Sequence, residues 1–289
     1  MEIQAYFDPQ TFTLTYLVFD PKTNDAVIID PVLDFDAASG TTAEAAIEQV
    51  LVKVTKRGLR LRMVLETHAH ADHLSASQVI KRHHPEASLA VSERIRLVQA
   101  VFKDVFDLGE AFPTDGSQFD RLLQDGEVVR AGSLTFKVIP TPGHTPACSS
   151  YLFEGAVFTG DALFMPDYGT GRCDFPSGSA KCLFQSITGG LYSLPESTRV
   201  YTGHDYQPGG RPLRYESTIG EERRTNIQLS AATSEVAFVA LREGRDAKLT
   251  APKLLYPSVQ VNIAGGHLPM PAANGVRYLK IPLNFGRVS

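Results

Sequence analysis

The run Thr67-His68-Ala69-His70-Ala71-Asp72-His73-Leu74-Ser75 sets three histidines and an aspartate within six positions, directly after the apolar segment Leu61 to Leu65. On an extended backbone residues two apart share a face, so His68, His70 and Asp72 can converge at a strand end, and His73 joins them if it opens a helix. Imidazole and carboxylate together suit zinc, iron or manganese, and no thiolate lies nearby to favour a closed structural site. Ordinary polar loops rarely carry such spacing, and three further ligand types follow it. These are His144 in Thr141-Pro142-Gly143-His144-Thr145, Asp161 in Thr159-Gly160-Asp161-Ala162, and His204 in Thr202-Gly203-His204-Asp205-Tyr206. Each stands at a Gly or Pro turn after an apolar run, the pattern expected of loops that converge on one edge of a sheet.

The elements that must carry these loops can be read from periodicity. Ile3 to Phe7, Thr13 to Asp20 and Ala26 to Asp30 cluster β-formers between turn residues and predict an opening antiparallel meander. Ala46, Ile47, Val50, Leu51 and Val54 recur at helical spacing, predicting a helix from Thr41 to Arg57 with Thr41 or Thr42 at its N-cap and Gly58 as its stop. A strand over Leu59 to Glu66 delivers the histidine run, and a helix from Ser75 to His84 follows, its His83 and His84 lying on the surface. Ser88 to Val91, Glu127 to Val129 and Leu134 to Pro140 read as strands, with a helix from Glu93 to Phe106 between. A hairpin around Glu154-Gly155 delivers Asp161, and Val200 to Thr202 delivers His204. Past His204 a basic loop leads to a helix from about Glu221 to Glu243. Strand-helix alternation in the first half, echoed in the second, suggests two sheets packed face to face with helices outside.

With these residues stated, the chain resembles the metallo-β-lactamase superfamily, whose His-x-His-x-Asp-His, His, Asp and His elements match in type and order over roughly residues 1 to 210. The resemblance implies an α/β fold, the four-layer αββα sandwich, as a single domain over 1–289 with 210–289 as a C-terminal extension covering the active site. It also implies that Asp30, closing the third strand, supports the site from behind. Two chemistries fit the ligands. Two metal ions bridged by Asp161 can activate water for hydrolysis. Two histidines and one carboxylate on one face of an octahedron leave three positions open, as in non-haem Fe(II) oxygenases.

Residues beyond the ligands favour the second. Tyr168-Gly169-Thr170-Gly171-Arg172-Cys173-Asp174-Phe175 is similar to the Gly-Cys-Gly-Arg-Thr-Asp-Phe signature of persulfide dioxygenases, although Thr170 and Cys173 exchange places with the usual Cys and Thr. This resemblance implies one Fe(2+) per chain on His68, His144 and Asp161, with His70, Asp72, His73 and His204 as a second half that orients the first, backed by Asp174 and Asp30. The implied reaction converts glutathione persulfide, O2 and water to glutathione and sulfite. Tyr206, His204 and Asp205 are the expected catalytic group beside the metal. Glutathione carries two carboxylates, so Arg172 and Arg214 are expected to bind it, with Lys253 and with Thr145 beside His144. Arg211, Arg223 and Arg224 are expected to be solvated. Cys173 is either a packed thiol or a sulfur carrier. Two alternatives stay open: a glyoxalase II-like hydrolase holding two Zn(2+), and a non-catalytic metal or sulfur sensor.

The bulk properties agree with a small-molecule enzyme. The chain has 289 residues, is 43% hydrophobic and 21% charged, and carries a formal charge of -4. Without a basic field, nucleic acid and anionic membranes are poor partners. No basic-then-apolar leader opens the sequence and no run approaches membrane-spanning length, so a cytoplasmic protein is expected. The three cysteines, Cys148, Cys173 and Cys182, make no paired framework, which points to a reducing compartment, with Cys148 and Cys182 expected as small buried hydrophobes. The resemblance implies a homodimer.

Overall fold

The computed structural model describes residues 1–284; residues 285–289, the end of the expected C-terminal extension, lie outside it. The chain opens on the expected meander of β1 (Glu2–Asp8), β2 (Thr13–Phe19) and β3 (Asp25–Ile29), paired antiparallel. Alternation assigns their side chains to two cores. Tyr16, Val18, Val27 and Ile29 point between the sheets, whereas Leu17, Phe19, Ala26 and Ile28 point outward beneath the helices.

Next come β4 (Val32–Asp36), β5 (Thr41–Ala43) and α1 (Ala45–Arg57). The helix therefore starts later than expected. Thr41 and Thr42 are β-branched and pair with Asp36 and Phe35 as a short strand. The first turn is capped from outside the helix, because the Asp34 carboxylate accepts the Ala46 N–H at 3.0 Å. Gly58 ends the helix as expected, at φ 61° with its N–H on the Thr55 carbonyl.

β6 (Arg60–Leu65) runs parallel to β3 and opens into the histidine loop. His73 does not begin a helix. The chain first makes β7 (Leu74–Ser75), which pairs with β4, and α2 (Ser77–His83) starts after it. β8 (Ser88–Ser92), α3 (Ile95–Val105) and β9 (Arg121–Leu123) complete the first sheet, ordered β1-β2-β3-β6-β8-β9.

The second sheet contains β10 (Val128–Ala131), β11 (Leu134–Pro140), β12 (Ser149–Phe153) and β13 (Ala156–Phe158), then, beyond α4 (Ala180–Gln185), β14 (Arg199–Tyr201) and β15 (Glu216–Thr218). Phe136, Tyr151 and Phe158 meet Tyr16 and Met63 of the first sheet, while Val157 and Val200 face outward onto Leu183 and Phe238. Helices, sheet, sheet and helices thus stack as four layers, with each fully buried Phe or Leu worth roughly 1.5–3 kcal/mol.

Residues past 210, expected as an extension, also enter the sandwich, since β15 is an edge strand of the second sheet. The single helix expected from Glu221 to Glu243 is two, α5 (Ile219–Thr225) and α6 (Glu235–Asp246). Asn226 breaks it by turning its side-chain oxygen back to accept the N–H groups of Gln228 and Leu229, which buries Leu229; Ser234 then caps α6 by accepting the Ala237 N–H. The final helix is α7 (Leu255–Asn262). Among the described residues no helix is long and apolar enough to cross a membrane.

Candidate metal centre

Four loops meet at one edge of the sandwich, and their backbones fix the ligands. Asp30, at the end of β3, adopts φ 50°, a conformation Asp tolerates better than most residues. Its carboxylate accepts the Thr67 N–H at 2.7 Å and the Thr67 hydroxyl at 2.8 Å. That hydroxyl lies 3.0 Å from His68 Nδ1 and, having given its own proton to Asp30, accepts there. His68 Nε2 is left as a bare acceptor facing inward, buried and without a hydrogen-bond partner. Burial and the neighbouring His70 hold the His68 ring well below its ordinary pKa, hence neutral.

His144 is set in the same way. Its Nδ1–H donates to the Arg172 carbonyl at 2.6 Å, which leaves Nε2 3.6 Å from an oxygen of Asp161. Asp161 reaches the site because the chain packs closely behind it: a Cβ on Gly171 would sit 2.0 Å from the Asp161 carbonyl oxygen. Burial disfavours the Asp161 anion, but His204, His144 and His68 outweigh it and hold the carboxyl below the usual range. One donor atom each from His68, His144 and Asp161 falls within a 4.8 Å cluster.

The second half lies beside the first. His70, Asp72 and His73 form another such cluster, and His204 Nε2 stands 3.3 Å from Asp72 and 3.2 Å from the other Asp161 oxygen. Burial works against charge on His204, yet Asp161 and Asp72 raise it to about 10. His70 Nε2 lies 3.0 Å from an Asp30 oxygen without hydrogen-bond geometry; burial opposes its charge, and Asp30 and Glu66 raise it to about 9. Both buried ring nitrogens of His70 and the Nε2 atoms of His73 and His204 have no hydrogen-bond partner. Orphaned nitrogens around carboxylates are costly unless something else satisfies them, and a divalent cation is the partner this donor set fits.

A cavity of about 350 Å³ opens over His144, Asp161 and Asp72. Tyr206 lines it, stacked on His204 with ring centroids 5.4 Å apart and on Tyr168 at 4.7 Å. Arg172 and Lys253, the residues expected to bind substrate, line it too, although the Arg172 guanidinium is already paired with Asp174 at 2.6 and 2.5 Å. Asp174 thus meets the cavity through the Arg172 side chain, and the Arg172 carbonyl accepts the His144 Nδ1–H.

Three expected site residues lie elsewhere. Arg214 pairs with Glu221 at 2.5 Å and does not line the cavity. Thr145 is fully buried, its hydroxyl beside Cys148 Sγ at 3.1 Å. Asp205 is buried against Arg211, which also grips Asp167, so Arg211 is a clamp between two loops rather than a solvated charge. Cys173 is a packed thiol whose pKa burial pushes far up, and Cys182 is exposed rather than buried.

Sequence reasoning missed Arg245, which lines the cavity one helical turn after the buried Arg242. It also missed Thr13, whose hydroxyl stands 3.4 Å from Asp72, His73 and His204 alike. The helical spacing of Arg242 and Arg245 was a usable signal; nothing local marked Thr13.

Residues 8–204, the stretch that contains all seven ligand-type residues, match the family model described as metallo-beta-lactamase superfamily. The chain belongs to the metallo-β-lactamase superfamily. Within that superfamily it is 48% identical to a probable metallo-hydrolase of Burkholderia pseudomallei, across 98% of this chain and 99% of the relative. It is 32% identical to the mitochondrial persulfide dioxygenase ETHE1 of Homo sapiens, across 81% of this chain and 78% of that one. A crystal structure of ETHE1 from Myxococcus xanthus superposes with a TM-score of 0.74 at 34% identity, covering 92% of this chain and 100% of the other. The four-layer arrangement is thus that of the superfamily.

Proposed function

We propose that this protein is a persulfide dioxygenase, an oxidoreductase that holds one ferrous ion on His68, His144 and Asp161 and converts glutathione persulfide, O2 and water to glutathione and sulfite. The observation that carries the reading is the asymmetry of the two half-sites. His144 and Asp161 of the first set line the cavity together with Tyr206, whereas of the second set only Asp72 does. The likeness to proteins named persulfide dioxygenase supports the same reading. Ferrous iron bound by these three residues supplies the redox chemistry that lets dioxygen react with a soft sulfur anion, which zinc lacks.

The chain's own groups then have defined tasks. Lys253 and Arg245 face the cavity and offer cations to the carboxylates of a glutathione-derived substrate. Burial and the Asp161 charge raise the Tyr206 hydroxyl well above its ordinary pKa, so it stays protonated and donates a hydrogen bond from the cavity wall. Phe12, Phe164 and Tyr168 pack around the Tyr206 ring. Asp30 orients His68 through Thr67 and lies beside His70 as its charge partner. We place the C-terminal residues 235–253 as the lid side of this pocket, within one domain, and assign the protein to the cytoplasm as a homodimer.

A second reading rests on the orphaned Nδ1 of His70 and Nε2 of His73, which suit a second ion, and on the relative named a probable metallo-hydrolase. Two zinc ions held by these residues would supply the activated water of a thioester hydrolase. Metal analysis of protein made in iron-supplemented medium separates them: one iron per chain supports the dioxygenase, and two retained zinc ions support the hydrolase.

A further inference from the structure

The histidine loop has almost no backbone support of its own. Its first residue is well anchored: Asp30 takes the Thr67 N–H and hydroxyl, and the Thr67 carbonyl accepts the Ser149 N–H at 2.9 Å. From His68 to His73, among the described residues, the backbone makes only two hydrogen bonds, and one side chain supplies both. Asn262, in the last turn of α7, donates its amide N–H groups to the carbonyls of His70 and His73, each at 2.8 Å. Its oxygen accepts the Ser75 N–H, also at 2.8 Å.

We infer that Asn262 is a positioning residue of the metal centre, so that a helix some 190 residues downstream sets the direction in which His70, Asp72 and His73 point. The amide spans two carbonyls three residues apart, which is the interval over which the chain turns through Ala71 and Asp72. Fixing those two peptide planes fixes the Cα–Cβ directions between them. No rotation of the amide gives the same result, because a reversed Asn262 would press its oxygen against two carbonyl oxygens.

The post on which Asn262 stands is itself rigid. Ile263 gives its carbonyl to Gln99 Nε2 at 2.8 Å, and Gly265 gives its carbonyl to Gln78 Nε2 at 2.7 Å. Gly265 turns at φ 64°, where a Cβ would come within 2.5 Å of the Gln118 carbonyl oxygen. Val259 and Val261 are fully buried in the core beneath the first sheet. Asn262 is buried as well, at 5% exposure, so water does not replace its hydrogen bonds if the side chain is lost.

The inference rests on the reading of this loop as a metal site, and the test keeps the two apart. Cobalt(II) serves as the probe, read by its visible spectrum and by competition with a chelator, while thermal unfolding is recorded without added metal. N262A removes all three hydrogen bonds. N262D keeps the acceptor for Ser75 and turns the donating edge into an accepting one. Q260A is the control: Gln260 lies on the same helix and bonds the tail at Lys280, away from the loop. Both Asn262 variants are expected to bind cobalt roughly 10–100-fold more weakly, the usual effect of removing a group that orients metal ligands, with a changed spectrum. Q260A is expected to lower the unfolding midpoint and leave the spectrum and affinity as in the parent. Parental affinity and spectrum in N262A or N262D would overturn the inference, and so would a Q260A loss of cobalt affinity matching theirs at equal stability. Should N262A fail to fold, N262S, which keeps a donor, carries the same comparison. A parent that binds no cobalt would sink the metal reading and the inference together.

Discussion

The Nδ1–H of His144 donates to the main-chain carbonyl of Arg172 at 2.6 Å, so the orientation of a metal-ligand candidate depends on where the Arg172 loop is held. Asp174 is one of three groups that hold it: the Arg172 guanidinium donates twice to Asp174 and once to the Thr250 carbonyl, and the Cys173 N–H of the same peptide donates to Asp246 at 2.8 Å. Asp174→Ala should therefore weaken iron retention roughly tenfold, at the low end for a group acting through a ligand's partner. Iron content after dialysis against a graded chelator series checks this; retention equal to the parent would separate the loop from the metal.

Substrate recognition should follow the cavity rather than proximity in sequence. Arg245 and Lys253 line it and Arg214 does not. Arg245→Ala and Lys253→Ala should each raise KM for glutathione persulfide about 3–10-fold, modest because these charges are solvent-exposed. Arg214→Ala should stay within about twofold, as for a surface pair. A large KM effect at Arg214 with none at Arg245 would reverse the assignment.

Glu222 gives a pH dependence of stability. Burial raises its carboxyl from 4.5 to about 8, against hydrogen bonds from Asn226 and Ser217 that lower it. Between those values the folded chain holds a proton that the unfolded chain has lost, so this group's contribution falls as pH rises from about 4.5 to 8 and then levels. Glu222→Gln lacks the titration. The unfolding midpoint of the variant relative to the parent should climb across that window, and a constant difference would contradict the assignment.

Cys173 tests whether the thiol carries sulfur. It is buried, with its pKa pushed up by burial and by Asp246, so it is not a thiolate at neutral pH. Cys173→Ala should cost about 1 kcal/mol of stability and leave kcat within about twofold. Loss of turnover in a folded, iron-loaded variant would restore the carrier role.

Much of the centre was legible before the structure because its parts are local. The ligand spacing from His68 to His73, the Gly and Pro turns before His144, Asp161 and His204, and the strand Leu134–Pro140 all follow from short-range rules. What was missed depends on distant partners. Thr41 and Thr42 form a strand because β4 is there to pair with them, and the helix beyond Glu221 breaks because Asn226 bonds back to its own chain. Arg214 follows the His204 motif closely yet pairs with Glu221, while Arg245 reaches the cavity only because α6 packs beside it. Asn262 and Thr13 touch the ligand residues across long stretches of chain, and nothing in their own neighbourhoods indicates it.

The most direct test is oxygen consumption by the iron-loaded protein supplied with glutathione persulfide, with sulfite measured in the same vessel. One O2 consumed and one sulfite formed per persulfide are expected, with lactoylglutathione left intact. No oxygen uptake, together with hydrolysis of lactoylglutathione, would contradict it.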